Sequence, residues 1–408
     1  MSRGPNAELS AELWDVVVLG AGIAGGVSAV LSARQGLRVL LVERHVFPRS
    51  KICGCCLNQR AQELLRMAGL ESAVRDLSPV RTDVLRIQRS GRRLELPVPG
   101  GIVVSRRSLD QRLVEEATAA GATFVDDTTA VVVPVSAAGT GGAGVRRVNL
   151  LRTSGGGGSL LNVCEIRARV VLACDGLGHP SLSRHGEFQS RAVRGARVGL
   201  GAECARLAGD DHLGAHEIVM AIGRGGYVGV VRTECDRLNL AAAVDSVALQ
   251  RAGSPLACLS EIFAESGVRR PEGLGAAVIR GTPPLTRRSP RLAGERLLLL
   301  GDATGYVEPF TGECMAWALT AAWLAVPVVR QGVASGWSMS LEQEYERSLR
   351  AAVGREQRIC RALAYILKHP ILSAAAMAAA CVCPWAVRSV VHSINRLPHL
   401  PEVHLETV

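Results

Sequence analysis

The chain of 408 residues is long enough for two domains with cores of their own. It carries a net charge of +10, but its arginines are scattered and aromatics make up only 3%, with no basic run interleaved with aromatics, so nucleic-acid binding is excluded. The positive balance suits an anionic cofactor, an acidic carrier protein or an anionic membrane face, and the polar first dozen residues lack the apolar core of a secretory signal, so the twelve cysteines are expected as reduced thiols.

Trp14 to Leu19 is an apolar, β-branched run without polar alternation, the pattern of a strand buried on both faces of a parallel sheet. It breaks into Gly20-Ala-Gly-Ile-Ala-Gly25. Gly20 permits the tight turn, Gly22 lets the backbone approach a pyrophosphate, and Gly25 allows close packing of helix on strand, with Ala21 and Ala24 completing the cradle. A helix over 26–35 would aim its N-terminal N–H groups at the phosphates, Gly36 ends it, and Leu37 to Val42 is a second strand. Glu43, beside Arg44, closes that strand where an acid can accept both ribose hydroxyls. Such an acid argues against a 2′-phosphate, so the tightly held dinucleotide is FAD or NAD, not NADP.

Further along, Pro48-Arg-Ser-Lys-Ile-Cys-Gly54 holds one of only two lysines among the 47 basic residues; the other is Lys368. Lys51 is a candidate for a specific role, near a flavin or paired with Glu313. Cys53 is either a flavin-proximal thiol or a small buried hydrophobe. Cys53-Gly-Cys-Cys56 lacks zinc-ribbon spacing, and no metal is expected. A helix over 108–120 is preceded by Arg106, and Asp126-Asp127 end the next strand. Loops at 137–144 and 154–159 bracket a strand over 145–152 and are read as peripheral. A strand from Arg169 ends in Asp175-Gly176, which alone could be an ordinary turn. Alternating stretches at 226–232 and 237–244 point to an antiparallel sheet. His212, His216 and Tyr227 within it read as structural or exposed, and no general acid can be named.

Arg296 to Leu300 is another short strand, ending in Gly301-Asp302, whose carboxylate can bond a polyol hydroxyl. Pro309, Gly312, Cys314 and Met315 follow, with a helix over 315–326 whose first N–H groups would face the pyrimidine edge of a flavin. Paired with the first glycine motif, this segment makes FAD the dinucleotide. From Gly336 the chain is helical in composition. Residues 370–387 are nearly continuous in small apolar residues, interrupted by Ser373 and Pro384, and read as a packed cap. A peripheral membrane contact aided by Arg388 and Arg396 is the other reading. Cys381 and Cys383 are expected to pack within that helix.

These segments, in this order, resemble the FAD superfamily of aromatic hydroxylases, flavin halogenases and geranylgeranyl reductases. Within it, Pro-x-x-Lys-x-Cys-Gly at 48–54 and Gly-Asp-Ala-x-Gly-x-x-x-Pro-x-x-Gly-Glu at 301–313 resemble the geranylgeranyl and menaquinone reductase group. Cys314, Cys55 and Cys56 depart from its pattern, and Gly226-Tyr-Val-Gly229 is all that stands for its aromatic stretch. The resemblance implies an α/β fold: a Rossmann-like, glutathione-reductase-like FAD-binding domain from 1–75, 105–190 and 285–335, with an inserted antiparallel-sheet substrate domain from 76–104 and 190–284. A C-terminal helical region, 336–408, completes it. It also implies that Arg106 contacts FAD. The expected activity is reduction of a double bond in an isoprenoid, quinone or polyketide-like substrate, with NAD(P)H bound transiently, in the cytoplasm or at the membrane's inner face. Monooxygenation of an aromatic or polyketide ring, and a flavin electron-transfer role, remain open.

Overall fold

The computed structural model describes residues 9–135, 144–153, 160–308, 310, 312–385, 387, 389, 397–398 and 400–401. Pro309, Arg388, Arg396 and nearly all of the two glycine-rich loops fall outside these residues.

Strand β1 (Leu13–Leu19) leads through α1 (Ile23–Ala33) into β2 (Val39–Val42), parallel to it. Helix α1 begins three residues before the periodicity predicts, because the glycine loop turns straight into it. Gly25 belongs to the helix: a Cβ there would lie 1.8 Å from the Gly20 carbonyl oxygen. Next come β3 (Cys56–Leu57), α2 (Gln59–Met67), α3 (Glu71–Arg75) and the hairpin of β4 (Val80–Arg89) with β5 (Arg92–Val103). Helix α4 (Arg106–Ala119) is capped by the Ser105 hydroxyl, which accepts from the Ser108 N–H. It runs into β6 (Thr123–Val125), parallel to β2. β7 (Thr129–Val132), β8 (Arg146–Thr153) and β9 (Leu160–Ala173) form an antiparallel meander whose last strand returns parallel to β1.

The chain then makes β10 (Arg191–Ala192), β11 (Val198–Ala205), β12 (Glu217–Ile222), β13 (Gly226–Arg232) and β14 (Arg237–Val244), followed by α5 (Ser246–Ala252) and α6 (Pro255–Ser266). Short strands β15 (Arg280–Pro284), β16 (Arg287–Arg288), β17 (Ala293–Gly294), β18 (Leu297–Leu299) and β19 (Gly305–Tyr306) bring it back to the first sheet. Three helices finish it: α7 (Cys314–Ala334), α8 (Met339–Lys368) and α9 (Pro370–Val382).

The first sheet has the order β17-β18-β9-β1-β2-β6, and β18, β9, β1, β2 and β6 are mutually parallel. Helices α1, α4 and α7 cover one face through the largest core cluster. Helix α7 outruns the expected end at Val326 and passes through Pro327. Apolar packing on nearly all its sides outweighs the helix-breaking tendency of proline.

The second sheet has the order β15-β11-β14-β13-β12-β4-β5-β3. It is antiparallel except at β12, which pairs with β4 in parallel. The period of two sorts its side chains. Val219, Ala221, Val228 and Val230 face α6, whereas Met220, Ile222 and Tyr227 face the opposite way with Leu85 and Leu285. Met377 of α9 packs on this second face, so α9 closes part of it. Ser373, expected to interrupt that helix, is buried within it one turn before Met377. Cys381 is exposed rather than packed, and Cys383 follows the helix end.

Candidate functional site

Four parallel strands deliver their carboxyl ends to one crevice, the position where open α/β sheets bind ligands. β1 ends at Gly20, β2 at Glu43, β9 at Cys174-Asp175, and β18 at Leu300-Gly301-Asp302. Backbone bonds lock the ends together: Gly20 N–H donates to Val42 O at 2.7 Å, and Cys174 N–H to Leu19 O at 2.8 Å. The crevice opens into a cavity of about 610 Å³ that continues beneath the second sheet. That volume lies in the range of small-molecule and cofactor sites.

Glu43 is 4% exposed. Its carboxylate accepts from Ala21 N–H and His45 N–H, both at 3.1 Å, and from Arg49 at 3.3 Å. Burial alone would push this carboxyl up, but Arg49, His45 and the Ala21 amide outweigh it and hold it below the usual range. Arg106 is the first residue of α4, not a residue ahead of it, and it is buried instead of solvated. It forks onto Asp110 one turn on, at 2.8 and 3.0 Å, and Arg49 meets the same carboxylate at 2.9 Å. One carboxylate thus orients two guanidinium groups. Burial opposes the charge on Arg106, yet Asp110 and Cys53 raise its affinity for the proton. Both guanidiniums reach within 3.7 Å of where a Cβ on Gly22 would stand. The turn is therefore positively lined and open to an anion.

Across the crevice, Lys51 Nζ bonds Asp302 Oδ2 at 3.1 Å, so its partner is Asp302 and not Glu313. Glu313 instead turns into the interior, where Cys360 Sγ donates to it at 3.6 Å. Asp175 accepts from Ser181 N–H at 2.7 Å through Oδ2, while the buried Oδ1 has no protein partner. Burial pushes this carboxyl up. Gly312 has φ +85° and leads into the first turn of α7, where Cys314 Sγ donates to Tyr306 Oη at 3.1 Å and Met315 is buried.

Most of the sequence-predicted residues meet in this cavity. Gly20, Gly22, Ala24, Glu43, Arg44, Lys51, Cys53, Arg106, Asp175, Gly176, Asp302, Gly312, Cys314 and Met315 line it. Ala21 and Gly25 lie behind its wall, the first donating to Glu43 and the second packing on Gly20. Pro309 lies outside the described residues. Arg49 and Asp110 were missed, although an Arg-x-x-x-Asp spacing on a helix is a readable ion pair. Tyr227 was discounted, yet it lines the cavity. It stacks edge-on to Phe310 at 5.1 Å and lies under Arg197, whose guanidinium pairs with buried Glu308 at 3.0 Å. His212 and His216 bond backbone carbonyls and are structural. Among the described residues no cluster of metal-ligating side chains occurs.

A long dinucleotide fits these residues at both ends. The glycine turn and paired arginines suit a pyrophosphate, Glu43 suits ribose hydroxyls, and the unpartnered Asp175 oxygen and Asp302 face the opposite end. Residues 14–197 match the model of a family described as an FAD binding domain. The chain is 29% identical over 371 residues to a menaquinone reductase of Mycobacterium tuberculosis, covering 87% of this chain and 84% of the relative. It is 26% identical over 364 residues to digeranylgeranylglycerophospholipid reductase 2 of Methanothermobacter thermautotrophicus, covering 83% and 86%. The fold is that of p-nitrophenol 4-monooxygenase from Pseudomonas putida, with a TM-score of 0.73, 13% identity, and coverage of 95% of this chain and all of that one. The protein is an FAD-dependent oxidoreductase that carries this FAD-binding domain. Within that class its sequence is similar to the menaquinone and digeranylgeranylglycerophospholipid reductases.

Proposed function

We propose that the protein reduces a carbon–carbon double bond in a hydrophobic isoprenoid, quinone or polyketide-like substrate, with NAD(P)H as a transient donor. One observation carries this reading: the polar cradle opens directly into an apolar chamber under the second sheet, walled by Leu85, Met220, Tyr227, Leu285 and Phe310. The names of the reductase relatives point to the same chemistry. FAD, when bound, supplies the hydride. The chain's residues do the rest. Glu43, Arg49 and Arg106 hold the adenosine and pyrophosphate end, while Asp302, oriented by Lys51, holds the polyol. The chamber excludes water from the reacting carbons. Tyr227 Oη, hydrogen-bonded to Glu308, offers a proton there; burial pushes both groups up and keeps the proton in place.

The substrate arrives, in this reading, from a membrane surface. Among the described residues no single helix is long and apolar enough to cross a bilayer, and α8 and α9 meet at a 112° bend. Helix α9 nevertheless presents Ile371 at 83% exposure, Val382 at 81% and, just beyond its end, Trp385 at 69%. Exposed Arg92 and Arg93 lie on the strand beneath it. An apolar helix face beside basic side chains suits an anionic interface, and α9 packs through Met377 on the sheet face that walls the chamber. A monooxygenase reading rests on fold likeness alone.

The test is to fill the chamber without touching the cradle. Met220→Trp should retain FAD at one per chain and lose at least tenfold in turnover of menaquinone. Retained turnover would remove the chamber from the mechanism.

A further inference from the structure

The segment that follows Lys51 holds three cysteines within four residues, and the fold gives them unequal roles. Cys53 is half-buried and lines the cavity, whereas Cys55 lies behind it at 2% exposure. Cys55 holds φ +60°, a left-handed turn that few side-chain-bearing residues adopt. The turn brings its thiol back toward Cys53: Cys55 Sγ donates to the Cys53 carbonyl oxygen at 3.7 Å, which places the two thiols side by side. The loop is pinned on both sides, by Asn239 Nδ2 donating to Cys53 O at 2.9 Å and Val104 N–H donating to Cys55 O at 3.1 Å. The guanidinium of Arg106, fixed by Asp110, faces the same cavity and acts electrostatically on Cys53.

We propose that Cys53 and Cys55 form a peroxide-reactive dithiol, with Cys53 the attacking sulfur facing the cavity and Cys55 the resolving thiol behind it. The electrostatics support that division. The Cys55 S–H and Arg106 bring the Cys53 thiol down to about 5 against the opposing effect of burial, so it is a thiolate at neutral pH. Cys55 is pushed up, first by its interaction with the Cys53 thiol, and keeps its proton. Burial pushes neighbouring Cys56 up to about 12, which leaves it a poor competitor.

The chemistry balances. The Cys53 thiolate attacks one oxygen of hydrogen peroxide, the O–O bond breaks, and with one proton from solvent the products are Cys53 sulfenic acid and water. The Cys55 thiol then attacks the Cys53 sulfur; a second water leaves with the thiol proton, and the S–S bond forms. The two sulfurs together lose two electrons and the peroxide gains them. The site would consume peroxide inside a cavity where an oxygen-exposed flavin generates it.

The experiment uses the FAD-loaded protein, treated with one equivalent of hydrogen peroxide, then unfolded in guanidinium so that every remaining thiol is reachable, capped with N-ethylmaleimide and digested with trypsin. Cleavage after Lys51 and Arg60 releases one peptide with all three cysteines. The expected product is a Cys53–Cys55 disulfide with maleimide on Cys56 alone. Maleimide on all three, or a disulfide that includes Cys56 or Cys314, would overturn the assignment. Cys55→Ser should leave a sulfenic acid on Cys53 that dimedone captures. As a second readout on the wild-type protein, iodoacetamide labelling of Cys53 should change by less than about 1.2-fold from pH 6 to 8, where a plain thiol gains about 75-fold. A plain-thiol profile at Cys53 would likewise refute the proposal.

Discussion

Gly25→Ala isolates the geometry of the dinucleotide turn, because the residue packs behind the cavity and touches nothing in it. A Cβ there would stand 1.8 Å from the Gly20 carbonyl oxygen, 3.0 Å from its carbonyl carbon and 3.2 Å from a Val18 methyl. Both sides of the tightest contact are backbone, so no side chain can swing away. Restoring an ordinary 3.4 Å contact requires α1 and β1 to separate by about 1.6 Å. The overpacking costs about 1–3 kcal/mol of stability. The larger effect falls on the cofactor. A shift of that size carries a normal 2.9 Å hydrogen bond beyond the useful limit. Each bond from an N–H to a charged phosphate contributes about 1.5–3 kcal/mol. Losing about two of them weakens FAD binding by roughly 10²–10⁴-fold. Titration of the apoprotein with FAD, followed by flavin fluorescence, measures this directly. Gly36→Ala is the control: it adds a Cβ where nothing lies within 4 Å, and its strain comes only from a φ of +73°. It should lower the unfolding midpoint and leave FAD affinity unchanged. A Gly25→Ala protein with an FAD affinity within threefold of wild type would refute the argument.

Glu43→Gln keeps the shape of the side chain and removes its charge, and it should lower FAD affinity by about tenfold or more. Because the Glu43 carboxyl is held below its ordinary value of 4.5, its contribution to stability is complete above that pH and is lost as pH falls through the folded value. The gap in thermal midpoint between wild type and Glu43→Gln should therefore be widest near pH 7 and close under acid; a gap constant down to pH 3 would contradict the shift. Arg60, 1% exposed, pairs with Glu356 at 3.4 Å beneath α7. Arg60→Met should cost about 3–5 kcal/mol in denaturant unfolding by stranding that carboxylate, and adding Glu356→Met should recover most of it. Ile371→Ser combined with Trp385→Ser should reduce co-sedimentation with phosphatidylglycerol vesicles by about 100-fold, from roughly 1.5 kcal/mol or more per lost anchor; unchanged binding would remove α9 as the docking surface.

The glycine turn, its two flanking strands and Glu43 were legible because each obeys a local rule: a buried parallel strand is uniformly apolar, and a phosphate turn needs residues without a Cβ. The strand ends at Asp175 and Asp302 were readable for the same reason. Arg197 and Glu308 were not, since they meet across 111 residues and neither has a local signature. Lys51 was singled out by composition, but composition offered a place near the flavin or a pairing with Glu313 and could not choose Asp302. That choice is made by α7, whose first turn rotates Glu313 inward toward Cys360. Arg106 was expected beside its helix; the Ser105 cap shifts the start by two residues and so buries it against Asp110. That Tyr227 would reach the cavity wall was not readable, because alternation along β13 shows that faces differ, not which of them a cavity occupies.

The central claim is double-bond reduction in a lipid-like substrate, and product mass tests it most directly. FAD-loaded protein, reduced with dithionite under anaerobic conditions, would be incubated with menaquinone in detergent and the lipid recovered for mass spectrometry. Once ferricyanide has returned any quinol ring to the quinone, the account predicts a product still about 2 Da heavier, formed without dioxygen and lost in Met220→Trp. A product about 16 Da heavier that forms only when dioxygen is admitted would contradict it and make the protein a monooxygenase.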